Sequence, residues 1–106
     1  MGRGSRRKPD RLAEKLLEIR LSLGLSQNEL INQIGLADEL VREEVSDFER
    51  GIREPPLHVL LAYARTAGVY VDALIDDNLD LPKRLPSFPK HEGIRRRSAR
   101  RTKIKR

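Results

Sequence analysis

Between Leu25 and Gly51 the apolar positions fall into two short runs with helical spacing, and each run is bounded by residues that start and stop helices. In the first run Leu30 and Ile34 form the apolar stripe. Ser26 is a suitable N-cap, Glu29 three residues on completes a capping box, and Leu25 with Leu30 forms a hydrophobic staple across the cap. Gly35 can take the left-handed turn that ends this helix. In the second run Val41, Val45 and Phe48 recur at i, i+4 and i+7, with Asp38 as candidate cap and Gly51 as stop. Two helices this short cannot bury enough surface alone, so the pattern demands neighbours.

Those neighbours lie on either side in the chain. Over residues 10–23, Leu12, Leu16, Ile19 and Leu23 come at steps of four, three and four, and Gly24 ends this amphipathic helix. After Gly51, Pro55 and Pro56 bar helix before them but suit the first turn of a helix that begins there. Leu57, Leu60, Leu61 and Ala64 are then the expected buried stripe of a fourth helix, stopped by Gly68. A fifth, short helix fits residues 72–75, whose Leu74 and Ile75 would close the core. No stretch alternates with period two and no internal repeat is present, so the expected class is all-α with five helices. The domain is expected over residues 10–80, preceded by a basic arm over 1–9. Residues 81–106 carry Pro82, Pro86 and Pro89, little apolar content and dense Arg and Lys, the composition of a disordered tail.

Composition changes the picture mainly by exclusion. The 106 residues leave room for one modest domain plus tails, and 38% apolar content supplies one core. With no cysteine there is neither a disulfide nor a thiolate metal site, and the isolated His58 and His91 do not make a metal site between them. His58 is expected on a helix surface, and no cofactor is expected. The basic start is not succeeded by an apolar run, so no signal peptide or transmembrane segment is expected and the protein is placed in the cytoplasm.

Charge is segregated more sharply than the net +6 conveys. Residues 1–9 carry four basic groups and no acid, residues 10–82 seven basic and fifteen acidic, and residues 83–106 eleven basic and one acidic, giving +4, −8 and +10. An acidic folded block between basic arms points to a polyanion, nucleic acid before anionic membrane; the plainer alternative is a solvated tail that confers solubility. Membrane anchoring would need an apolar element, and Phe88 with Ile94 is a thin one.

The segments EIRLSLGLSQNELINQIG, VSDFERGIREPPL and LLAYARTAGVYVDALI, in that order, resemble the Cro and phage-repressor type of helix-turn-helix domain over about Leu12 to Asp76. The resemblance implies a compact five-helix domain that binds double-stranded DNA, its third helix in the major groove and its second across the backbone, commonly as a dimer on a pseudo-palindromic site. It further implies that Gln27 touches the DNA backbone or a base edge, that Arg42, Glu43, Ser46 and Asp47 occupy base-facing positions, and that Arg50 and Arg53 touch phosphates. Arg20 and Glu49 match a salt bridge tying helix one to helix three. The amides at the start of helix two, with Gln27, are a natural phosphate site, against the simpler role of a solvated first-turn residue. Arg42 either pairs bidentately with guanine or holds Asp38 or Glu39 on the surface; the sequence leaves both open. In the tail, Arg95, Arg96, Arg97, Arg100, Arg101, Lys103, Lys105 and Arg106 are suited to neutralise phosphates without reading sequence.

The chain departs from the family pattern in three places. The connection over 35–45 is about four residues longer than usual, so GLADELV must bulge or lengthen a helix. The outward face of helix three is acidic, with Glu43 and Asp47 approaching phosphates, although a carboxylate can accept from the cytosine amino group. Tyr70 stands where relatives often place a capping Ser or Thr. The leading function is a sequence-specific DNA-binding transcription regulator; the alternative is an interaction module on the same fold, whose acidic third helix binds a protein while the tail separately binds nucleic acid. Enzyme chemistry and a small-molecule substrate are not expected, since no nucleophile motif, Gly-rich phosphate loop or His–acid set is present.

Overall fold

In the computed structural model the described residues are 8–85, and they form five helices: α1 Leu12–Leu23, α2 Gln27–Gln33, α3 Arg42–Glu49, α4 Leu57–Ala67 and α5 Asp72–Ile75. The arm over 1–7 and the expected disorder of 86–106 lie outside the described residues. Helix α1 is the central packing element: it lies against α3, α4 and α5, while α3 also packs on α2. Leu12, Leu16 and Ile19 of α1 meet Leu30 and Ile31 of α2, Val45 and Phe48 of α3, and Val59, Leu60, Tyr63, Ala64 and Ala67 of α4 in one apolar core closed by Leu74.

The helix ends obey local chemistry. Ser26 Oγ accepts the Glu29 amide at 3.1 Å and Glu29 Oε1 accepts the Ser26 amide at 2.8 Å, the reciprocal pair of a capping box. Gly35 and Gly51 both have positive φ, 79° and 74°, a conformation that a side-chain-bearing residue adopts only with strain.

Four apolar positions depart from the expected stripes. Val41 is 55% exposed because it is the N-cap of α3 rather than part of its buried face, and Leu40 takes the inward place. Asp38 accordingly does not cap the helix; valine offers no acceptor, and only Glu44 Oε1 reaches back, to the Val41 amide at 3.1 Å. In α4 Leu57 is 84% exposed and Leu61 is also exposed, since the helix turns Val59, Tyr63 and Ala67 inward together with Leu60 and Ala64. Ile75 is exposed as well, leaving Leu74 alone from α5 in the core. At the other end of the chain, Leu81 and Leu85 are buried, so core packing reaches five residues into the segment 81–106.

Two long-range polar anchors join the beginning of the domain to its end. Lys15 is fully buried, and its Nζ donates to the carbonyl oxygens of Ala73, Asp76 and Leu79 at 2.8, 2.9 and 2.7 Å, which satisfies all three ammonium donors and holds the carbonyls in and after α5. Arg11, the N-cap of α1, supplies no capping side chain; instead Asp77 accepts the Asp10 and Arg11 amides at 2.9 and 3.0 Å. A carboxylate thus caps a helix from 66 residues away. Those two amides hold the Asp77 carboxyl below its ordinary value of 3.8. A depressed carboxyl pKa stabilises the fold above the unfolded-state value, and the contribution is lost as pH falls through the folded-state value. Asp77→Asn is therefore expected to be less stable than the parent near neutral pH, with the gap closing as pH drops below about 4. Urea midpoints from pH 7 to pH 3 check it; a gap independent of pH would refute the titrating role.

Candidate nucleic-acid interface

The candidate interface is built on α3, and its orientation is set from the inside by Glu49. Arg20 on α1 donates to Glu49 through Nε at 2.6 Å and Nη2 at 3.0 Å, a bidentate pair whose side chains are 15% and 5% exposed. The Arg20 Nη1 donates to the Leu25 carbonyl at 3.0 Å, just before α2, and Gln27 Nε2 on α2 donates to Glu49 Oε1 at 3.0 Å. One carboxylate therefore joins three helices. The expected Arg20–Glu49 pair is present, and the Glu49 hydrogen bond raises the already high Arg20 pKa, so the guanidinium stays charged. Gln27 is engaged here by its amide nitrogen; nothing in the sequence pattern announced that second partner.

Beneath this junction the hydroxyl of Tyr63 is buried and has no hydrogen-bond partner among the described residues. Burial, then the negative charge of Glu49, push its pKa up. Since removing an unsatisfied buried hydroxyl without altering shape relieves a desolvation cost, Tyr63→Phe is expected to leave stability unchanged or raise it by up to about 1 kcal/mol. A clear fall in the denaturation midpoint would show that the hydroxyl has a partner in solution.

The outward side of α3 divides into two ends. At the leading end Arg42 and Glu43 are exposed, and among the described residues no ion pair involves either; Arg42 does not hold Asp38 or Glu39. Glu43 and Glu44 lie in the first turn of a helix without a side-chain N-cap, where negative charge offsets the helix dipole, so acidity at this end has a structural reason. At the trailing end Asp47 accepts from Arg50 at 3.1 Å, and the Arg53 guanidinium lies between Glu44 and Asp47 at 3.8 and 3.6 Å. Ser46 and Asp47 are half-buried, Arg50 and Arg53 exposed. The two arginines suited to phosphates are therefore held along α3 by its own acids.

The lengthened connection is a compact turn, not an extension of either helix. The Leu36 carbonyl accepts the amides of Glu39 and Leu40, both at 2.9 Å, and buried Leu40 roots the turn. On its outer side Glu39 Oε1 meets His58 Nε2 of α4 at 2.6 Å, with both side chains about half exposed. The extra residues thus deliver α3 at a fixed place. Tyr70, the third departure, is exposed, and α5 has no side-chain cap.

A helix-turn-helix family model matches residues 16–74, more than half of the chain, spanning α2 and α3 and most of the core around them. The chain belongs to the helix-turn-helix family of the Cro/C1 type. No curated protein and no solved structure matches it. As a family member it is a DNA-binding transcription regulator, and the domain is of a regulatory, generally non-enzymatic kind. Among the described residues no helix is long and apolar enough to cross a membrane, and no group of His, Cys, Asp and Glu could hold a metal ion.

Proposed function

We propose that this helix-turn-helix protein is a sequence-specific regulator in which α3 enters the major groove and reads base edges, while the basic arms add phosphate contacts that carry no sequence information. The observation that carries the reading is the Glu49 junction. By joining α1, α2 and α3 through one buried carboxylate, it sets the angle of α3 while leaving Arg42, Glu43, Ser46, Asp47 and Arg50 on the outward side. Arg42 is suited to bidentate pairing with guanine and Gln27 to contact at the edge of the interface; Arg50 and Arg53 turn from Asp47 and Glu44 to phosphates. Two protomers on a pseudo-palindromic site would fit the family geometry. The acidity of α3 supports a second reading, a protein-binding module with a separate nucleic-acid tail. Selection of bound duplexes from a random pool by residues 1–85, which retain every core residue among the described ones, separates the two: enrichment of a sequence supports the regulator, and none supports the module.

Under the regulator reading Glu43 and Asp47 limit non-specific affinity, Glu43 by facing phosphates and Asp47 by occupying Arg50 and Arg53. Glu43→Gln with Asp47→Asn is expected to tighten binding to generic duplex by about 1 kcal/mol, roughly fivefold, at low salt. If the double change abolishes binding to a selected site and leaves generic binding alone, the carboxylates are base readers.

A further inference from the structure

Val41 stands where the fold alone would favour another residue. It is the N-cap of α3, with extended backbone at φ −117° and ψ 161°, and its side chain stays 55% exposed. Valine is among the least favoured N-cap residues, because it offers no acceptor to the open amides of the first turn; serine, threonine, asparagine or aspartate would close one of them. Extended backbone suits a β-branched side chain, but threonine is branched too and would add the cap. Packing does not require Val41 either. Leu40 before the cap and Val45 in α3 occupy the two positions of a hydrophobic staple, and both are buried in the core without it. Among the described residues Val41 is the one exposed large apolar side chain on α3 or its caps, and exposed Arg42 follows it directly.

We propose that Val41 is a base-reading residue whose side chain packs against the C5-methyl group of one thymine under each bound protomer. This rests on the regulator reading and adds a thymine to it. In that reading the first residues of α3 meet base edges in the major groove, where thymine presents a methyl group beside its O4 acceptor. An apolar side chain recognises that methyl group. A capping hydroxyl or carboxylate at the same place would instead bring a polar atom that loses its water against the methyl without gaining a partner. Arg42 supplies the complementary chemistry, since its guanidinium carries the paired donors that guanine accepts. The helix thus opens with one apolar reader and one cationic reader. Removing a single methyl group from water is worth about a fourfold change in affinity.

The test replaces thymine by deoxyuridine, which lacks only that methyl, one position at a time in a duplex bearing a sequence enriched by the full-length chain. Binding isotherms of the full-length protein are expected to weaken about fourfold at one thymine per bound protomer. Val41→Ser removes both methyl groups of the side chain and is expected to abolish that difference at the same position, while raising the melting temperature through the cap it gains. The scan with the parent protein stands by itself, however the variant folds. A parent insensitive to every replacement, an enriched site without thymine, a difference that survives Val41→Ser, or a lower melting temperature for Val41→Ser would overturn the methyl contact and leave the regulator reading intact. Failure to enrich any sequence appears at the selection step and removes both.

Discussion

Glu49→Ala is expected to cost about 3 kcal/mol of stability, the low end of the roughly 3–5 kcal/mol for breaking a buried ion pair, because Arg20 keeps 15% of its side chain in contact with solvent. The loss arises less from the missing attraction than from what is stranded. Arg20 would remain between helices with only the Leu25 carbonyl as partner, Gln27 would lose its acceptor, and the α1–α3 and α2–α3 contacts would lose their shared polar tie. For a domain of this size the change corresponds to a fall in melting temperature of roughly 12–24 °C. Thermal and urea unfolding measure it, and a loss below about 1 kcal/mol would mean that the pair behaves as an exposed one. Arg20→Met combined with Glu49→Leu should recover much of the loss, since neither charge is then left unpaired. Recovery of stability without recovery of affinity for a selected site would separate holding the helices together from setting the angle of α3.

What could be read from the sequence divides by the range of the interaction. The capping box of Ser26 and Glu29, the glycine stops after α1, α2, α3 and α4, and the limits of α5 are written within a few residues, and all were legible. The Arg20–Glu49 pair was legible through the family resemblance, not through spacing. Periodicity failed at Val41, Leu57 and Ile75 because a stripe counted across or at a helix boundary assumes 100° per residue where the backbone is only entering or leaving the helix, and at Leu61, inside α4, because the buried face is centred on Val59, Leu60, Tyr63, Ala64 and Ala67 instead. Lys15 and Asp77 were invisible for another reason. A lysine amid apolar neighbours reads as a surface residue, and only the fold shows the three carbonyls waiting 58 to 64 positions away. Likewise Arg11 looks like an uncapped helix start until Asp77 arrives from the far end of the domain. The outward side of α3 was legible in composition, and the Asp47–Arg50 pair has the local i,i+3 spacing, but the approach of Arg53 to Asp47 and Glu44 depends on how the chain turns after Gly51.

Removing residues 86–106 is expected to reduce the salt dependence of DNA binding more than any single substitution on α3, and to leave unfolding unchanged. The cut belongs after Leu85 because Leu81 and Leu85 are core residues, and a truncation at 82 would expose apolar surface and confuse a loss of fold with a loss of charge. The removed segment holds nine cations against one acid, whereas residues 10–82 balance at −8, so attraction over a Debye length of about 8–10 Å must come largely from the arms. Neutralising Z phosphates gives a slope of log affinity against log salt of about −0.9Z, so a tail engaging half of its nine cations contributes about −4. Between 50 and 200 mM salt a slope of that size changes affinity by roughly two and a half orders of magnitude. Binding isotherms at several salt concentrations for the full chain and for residues 1–85 measure the difference directly. Equal slopes would place the electrostatic contribution in the N-terminal arm and in Arg50 and Arg53, and a lowered melting temperature for residues 1–85 would show that the tail also supports the fold.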